Sequence, residues 1–205
     1  MTTGVRRLAL VGVAGLLGVA LWWRRNPSAC PYSQRFWVEA PHPFITRARL
    51  RDILAPEPGE RLLEVGPGTG YYSLPVAEWL GPDGTLEVLD VQEEMIDHTL
   101  ARAGEEGIDN LVPTLADARQ MPYDQGSFDG AYLVTVLGEI PDQHAALREL
   151  RRVLAPGARL VVGELFGDPH YVTFGKLRER AEAAGFELER RVGGPLGYFA
   201  RFRAA

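Results

Sequence analysis

Short apolar runs alternate with helix-length amphipathic segments along most of this 205-residue chain, and that alternation limits the fold more than any other feature. "RLLEV" (61–65), "TLEVLD" (85–90), "LVPTLA" (111–116), "FDGAYLVTV" (128–136) and "ARLVVGEL" (158–165) read as strands. Helices are expected over 71–80, 92–107, from Pro141 to Leu154 and over 174–185. Strands joined through helices of this length form a parallel, doubly wound sheet with right-handed crossovers. Pro113 lacks an N–H and places the third strand at an edge. The last two runs, "FELERRV" and "LGYFARFRA", meet around "GGP" and read as a hairpin, so one strand runs antiparallel. The expected fold class is α/β, with a mainly parallel seven-stranded sheet closed by a C-terminal antiparallel hairpin.

In such sheets ligands sit at the carboxyl ends of the strands, near the topological switch point. The stretch "LLEVGPGTGYYS" occupies one such end and packs Gly66, Gly68 and Gly70 into five residues. Glycines in this density let a ligand approach the backbone, or simply make a tight strand-to-helix turn. A nicotinamide dinucleotide site wants G-x-G-x-x-G, but Tyr71 stands at the third glycine position. No lysine follows, so a phosphate-binding P-loop is not formed either. Asp90, at the end of the second strand, suits a ribose diol or caps the helix that follows.

Four elements carry a resemblance over roughly residues 57–203: "LLEVGPGTG", "LEVLDVQEEMI", "ADARQMPYDQGSFDGAYLVTVLGEIPD" and "LRELRRVLAPGARLVVGE". In this order and spacing they resemble the class I methyltransferases that use S-adenosylmethionine (SAM), nearest to the type 11-like small-molecule, quinone or lipid subgroup. The resemblance implies a Rossmann-like fold and SAM as cofactor. It implies that Glu64 acts near the ligand's ammonium, directly or through water, and that Gly66, Gly68 and Gly70 face its amino-acid and ribose portions. It further implies Asp90 on the ribose hydroxyls, Val91 and Met95 on the purine, Asp117 and Ala118 at the adenine amino group, and Leu133, Val134 and Thr135 along the methionine tail. Each has a plainer alternative: Glu64 as a strand-end acid, Asp117 as a loop acid capping "ARQM", Met95 as ordinary core.

The first residues differ from the rest. "LALVGVAGLLGVALWW" (8–23) holds no charge and lies between Arg6-Arg7 and Arg24-Arg25. As a helix it spans roughly 24 Å, against about 30 Å of hydrocarbon, with arginines to snorkel and Trp22-Trp23 for the interface. It reads as an uncleaved membrane anchor, a signal peptide with "PSAC" as a lipoprotein-like site, or an apolar helix docked on the domain. Because SAM is made in the cytosol, the anchor reading puts the catalytic domain on the cytoplasmic side. The expected organisation is an anchor over 1–26, a linker and lid helix over 27–58, with the helix at 44–54, and the SAM-binding domain over 59–205.

A net charge of −5 and the lack of a basic face argue against nucleic acid as a partner. Cys30 is the one cysteine, so no internal disulfide forms, and the four histidines show no metal-ligand spacing. No metal is expected. Methyl transfer from a sulfonium needs alignment and desolvation, and a base only where the acceptor must lose a proton. The catalytic residue is therefore left open, with His170, Glu139 and Tyr171 as candidates beside Glu164, His144 and His42. The Asn/Asp-Pro-Pro-aromatic signature of base and amide methylation is absent, since strand four ends "LVTV". A small or lipophilic acceptor, drawn from the bilayer, remains. The rivals are a catalytically inert SAM-binding membrane protein and a nicotinamide-dependent oxidoreductase.

Overall fold

The computed structural model describes residues 26–36 and 42–205. The apolar stretch at 8–23, with the anchor expectation attached to it, lies outside these. Among the described residues no helix is long and apolar enough to cross a membrane.

Seven strands form one sheet in the order β3-β2-β1-β4-β5-β7-β6. They are β1 (Arg61–Val65), β2 (Thr85–Asp90), β3 (Leu111–Leu115), β4 (Phe128–Val134), β5 (Leu154–Leu165), β6 (Phe186–Gly194) and β7 (Gly197–Ala204). The strands β1 to β5 are mutually parallel, and β7 alone runs against its neighbours on both sides. The doubly wound sheet and its closing hairpin are thus as expected, and β3 with Pro113 is an edge strand paired only to β2.

Among the described residues five helices cover the sheet: α1 (Arg47–Leu54), α2 (Ser73–Leu80), α3 (Glu93–Glu106), α4 (Gln143–Val153) and α5 (Phe174–Ala183). Alternation along each strand feeds two cores. Leu62, Val88, Tyr132, Val161 and Phe199 meet α1 and α2 through Leu50, Ile53, Val76 and Leu80. Leu63, Leu133, Leu160 and Val162 meet α4 and α5 through Leu147, Leu150 and Leu177 on the other face. The helix expected in the linker, α1, is therefore built into the first core. Thr46 accepts the Arg49 N–H at its start and Asp142 accepts the Ala145 N–H at the start of α4, ordinary N-caps.

Among strands β1 to β5, two boundaries differ from expectation by two residues or more. The strand β5 starts at Leu154, directly after α4, instead of at 158. Pro156 and Gly157 do not end the pairing but bulge out of it: Phe128 pairs with Leu154 and Gly130 with Arg159, and Gly157 takes a φ of +79°. In β4 the strand stops at Val134, not 136, because Thr135 turns the chain at φ +57°.

Gly163 of β5 has no room for a side chain. A Cβ there would press on Phe199, with Cδ1 at 2.7 Å, and on Val134 Cγ1 at 3.0 Å. Gly163→Ala is expected to cost roughly 1–3 kcal/mol by overpacking, seen as a Tm lowered by about 2–4 °C per kcal/mol. An unchanged Tm would show that Phe199 and Val134 yield freely.

Candidate active site

The strands β1, β2 and β4 end side by side, and β1 and β4 are where the winding reverses. Two adjoining cavities open there, of about 280 and 590 Å³. The smaller has Gly66 and Gly68 as floor, Asp90, Gln92 and Met95 on one side, and Ala118 and Val134 on the other. The larger extends past Tyr71, Tyr72 and His42 on one wall and Asp168 and His170 on the other. Gly66, Thr135, Glu139 and the segment 28–30 belong to both.

The glycines behave as a cradle. All three take positive φ, and a Cβ on Gly66 would stand 2.5 Å from Val136 Cγ2. Thr135 is the notable exception, a β-branched residue in left-handed backbone held by its N–H on the Gly163 carbonyl at 2.8 Å. Such an outlier at the junction of two cavities marks a functional position.

Asp90 is buried to 8 % exposure with its Oδ1 accepting the Gln92 N–H at 2.9 Å. Burial raises its pKa, against the pull of the Gln92 and Val91 amides. Gln92, not Asp90, is the residue ahead of α3, so a plain capping role does not account for the carboxylate. Glu64 lies behind the glycine loop, at 2 % exposure, and lines neither cavity. No hydrogen bond of ordinary geometry reaches its Oε2, the Ser73 hydroxyl or the Tyr132 hydroxyl, yet both hydroxyls lie close enough to favour the charged carboxylate. Burial and then the Asp90 charge push Glu64 up to about 7, against those two hydroxyls.

Glu139 sits on the 3₁₀ turn Leu137–Glu139, where β4 hands over to α4. Its Oε2 accepts the Cys30 N–H at 3.1 Å, and the Gln92 side-chain amide donates to the Cys30 carbonyl at 3.0 Å. These two bonds strap the segment 28–30 across both cavities. Burial, then Asp168 and Asp90, push Glu139 up to about 8. Glu164, at 1 % exposure, accepts the Val172 N–H, and burial drives its pKa well up.

Of the residues singled out by sequence, Gly66, Gly68, Asp90, Val91, Met95, Asp117, Ala118, Val134 and Thr135 line the smaller cavity. Asp117 does so with both oxygens already held by Arg119, the closest pair at 2.6 Å, which keeps its pKa low. Gly70 and Leu133 line neither cavity, and Leu133, expected along the methionine tail, is instead buried in the core against α4 and α5. Among the catalytic candidates, Glu139, His170 and His42 line the larger cavity, while Glu164 and His144 do not. Tyr171 does not: its ring packs on Phe166 and Tyr198, and its hydroxyl donates to the Pro195 carbonyl. Sequence reasoning missed Gln92, Asp168 and the 28–30 strap. Gln92 had a signal in its adjacency to Asp90 and Val91; the strap had none.

The lining of the smaller cavity is compatible with SAM: a glycine turn without room for side chains, the buried Asp90 carboxylate and an apolar slot between Met95 and Ala118, with Glu64 set back behind the loop. The model of the ubiE/COQ5 methyltransferase family matches residues 42–175, well over half of the chain. The chain belongs to that family.

Relatives of this methyltransferase family include the nocamycin O-methyltransferase of Saccharothrix syringae, 36% identical over 55% of this chain and 40% of that protein. The demethylmenaquinone methyltransferase of Lactococcus lactis is 33% identical over 57% of this chain and 44% of that protein. The chain spans 32% to 59% of the length of the curated relatives it matches. A SAM-dependent methyltransferase from Aquifex aeolicus shares the fold, with a TM-score of 0.79 at 20% identity over 86% of this chain and 100% of that one. So does the [4+2]-cyclase SpnF, with a TM-score of 0.64 at 27% identity over 71% of this chain and 57% of that one. Fold alone therefore does not assign the reaction.

The raised carboxylates set a pH dependence of stability. Glu64, Glu139 and Glu164 hold protons more tightly folded than unfolded. Their contribution is complete below the ordinary carboxylate range and is lost as pH rises through the folded values of about 7 for Glu64 and about 8 for Glu139. Calorimetric scans are expected to show Tm falling as pH rises across that interval, with a shallower fall in Glu64→Gln. An equal slope in both proteins would remove Glu64 as a contributor.

Proposed function

We propose that the chain transfers a methyl group from SAM to a small or lipophilic acceptor held in the larger cavity. One observation carries this reading: a cavity suited to the cofactor and a cavity suited to an acceptor meet at Gly66, Thr135 and Glu139. SAM, when bound, supplies an electrophilic methyl on a sulfonium whose departure leaves a neutral thioether. The chain then has to align the acceptor, keep water out and accept a proton where the acceptor carries one. The strap over 28–30 covers the junction. Tyr71, Tyr72 and His42 offer an aromatic wall, and His42, whose pKa burial lowers, stays neutral there. Glu139 faces the junction with a proton affinity near neutrality and is the base, with Asp168 and His170 beside it. The relatives' names, O-methyltransferases and a demethylmenaquinone methyltransferase, favour a phenol- or quinone-like ring.

The apolar stretch at 8–23 is part of this reading as the membrane anchor, with the domain on the cytoplasmic side where SAM is made. A reporter fused at the C-terminus that is exported in active form would overturn that placement. The activity is tested by titrating the full chain in detergent with SAM, S-adenosylhomocysteine and NAD, then supplying lipid-extract acceptors with labelled SAM. Binding of the first two and label in the extract is the expected result. Binding without turnover would make the chain an inert SAM-binding protein; binding of NAD alone would favour an oxidoreductase.

A further inference from the structure

Three large apolar side chains stand exposed together beside the mouth of the larger cavity. Phe44, Phe166 and Leu196 are 40%, 62% and 51% exposed. They come from distant parts of the chain yet form one patch. The Phe166 N–H donates to the Leu196 carbonyl at 3.2 Å, and Gly197, next to Leu196, has no space for a Cβ because Phe44 Cβ lies 2.6 Å from that position. The cavity wall itself includes Pro43 and Leu165, the chain neighbours of Phe44 and Phe166. Single exposed apolar residues are ordinary, but a contiguous set at a cavity rim marks an interaction surface.

The surroundings fit an interface between water and lipid. Arg47, Arg49 and Arg191 are exposed near the patch. Arg49 donates to the Phe44 carbonyl at 2.6 Å, Arg47 lies 4.2 Å over the Tyr71 ring in the cavity wall, and Arg191 lies over the Phe174 and Tyr198 rings. Apolar side chains flanked by arginines match the acyl-to-headgroup boundary of an anionic membrane. The sequence places a bilayer-seeking segment close by: Ser28, in the wall of the same cavity, follows Trp23 by five residues, a reach of at most roughly 18 Å.

We propose that Phe44, Phe166 and Leu196 form a rim that docks on an anionic bilayer, so that the acceptor cavity opens directly into lipid. This rests on the reading of that cavity as the site for a lipophilic acceptor. It differs from the anchor at 8–23, which would tether the chain without orienting it. The rim adds orientation, turning the carboxyl edge of the sheet toward the membrane.

The test uses the full chain with Cys30→Ser and one introduced cysteine, Leu196→Cys or Asp83→Cys, labelled with an environment-sensitive fluorophore. Asp83 is exposed in the loop between α2 and β2, at the opposite edge of the sheet. On mixed phosphatidylglycerol–phosphatidylcholine vesicles, emission from position 196 is expected to shift to the blue and to be quenched by nitroxide lipids. Emission from position 83 is expected to stay unchanged. Phe166→Ser in the chain labelled at position 196 is expected to cut the nitroxide quenching there severalfold, since the anchor keeps the chain on the vesicle while the weakened rim no longer turns toward it. S-adenosylhomocysteine binding and circular dichroism verify folding in each variant. Quenching at both positions or at neither, or self-association of the chain without quenching at 196, would overturn the rim. Cofactor binding is read separately, so failure of the rim and failure of the methyltransferase reading remain distinguishable.

Discussion

Asp90→Ala is expected to weaken S-adenosylhomocysteine binding roughly 100-fold or more, because two hydroxyl donors would each lose a charged acceptor at about 1.5–3 kcal/mol. The carboxylate lies in the wall of the smaller cavity with little exposure, and no cation among the described residues lowers its pKa. Burial opposes its charge, so removing it relieves a cost to the free protein. The pull of the Gln92 and Val91 N–H groups is forfeited at the same time, which offsets that relief. Affinity and stability should therefore separate: titration calorimetry shows the loss while Tm changes little. Asp90→Asn keeps one acceptor oxygen and should fall between. Wild-type affinity in Asp90→Ala would take this residue out of ribose recognition and leave the glycine cradle as the main determinant.

Most of the sheet was legible because its signals are local. Strand periodicity, the acids ahead of α3, Asp142 ahead of α4 and the "GGP" turn each act within a few residues. Pro113 even marked the edge. The misses have non-local causes. Pro156-Gly157 looks like a break, yet pairing of Leu154 with Phe128 is set by the partner strand, so the dipeptide became a bulge. Thr135 carries no sequence sign of left-handed backbone; the Gly163 carbonyl imposes it. The wall of the smaller cavity was readable because it follows one strand-to-helix junction after another. Tyr171 looked as eligible as His170, one residue away, but packing on Tyr198 turned it out of the cavity. Asp117 lines the smaller cavity, but nothing local in the sequence shows how fully Arg119 occupies its carboxylate. The strap depends on contacts across 109 and 62 residues of chain, from Cys30 to Glu139 and to Gln92, which no pattern in one sequence encodes.

Glu139→Gln is expected to lower kcat roughly 10²–10⁴-fold toward an acceptor that must lose a proton, the usual range for a positioned base. The amide keeps an oxygen for the Cys30 N–H, so the strap stays in place and cofactor binding should hold. The pH profile separates a base from a mere strap anchor. A base works deprotonated, and Glu139 titrates at about 8. In the wild type, kcat/KM should climb about tenfold per pH unit on the acid side and level off above that value. The variant should lose the climb along with the rate. Asp168→Asn offers an independent readout, since after burial the Asp168 charge is the larger of the two carboxylate influences that raise Glu139. Removing that charge should move the midpoint of the profile to lower pH while leaving its height near wild type. A midpoint that ignores Asp168, or a Glu139→Gln variant with undiminished rate, would mean that the acceptor arrives already deprotonated and that Glu139 serves only to hold the strap.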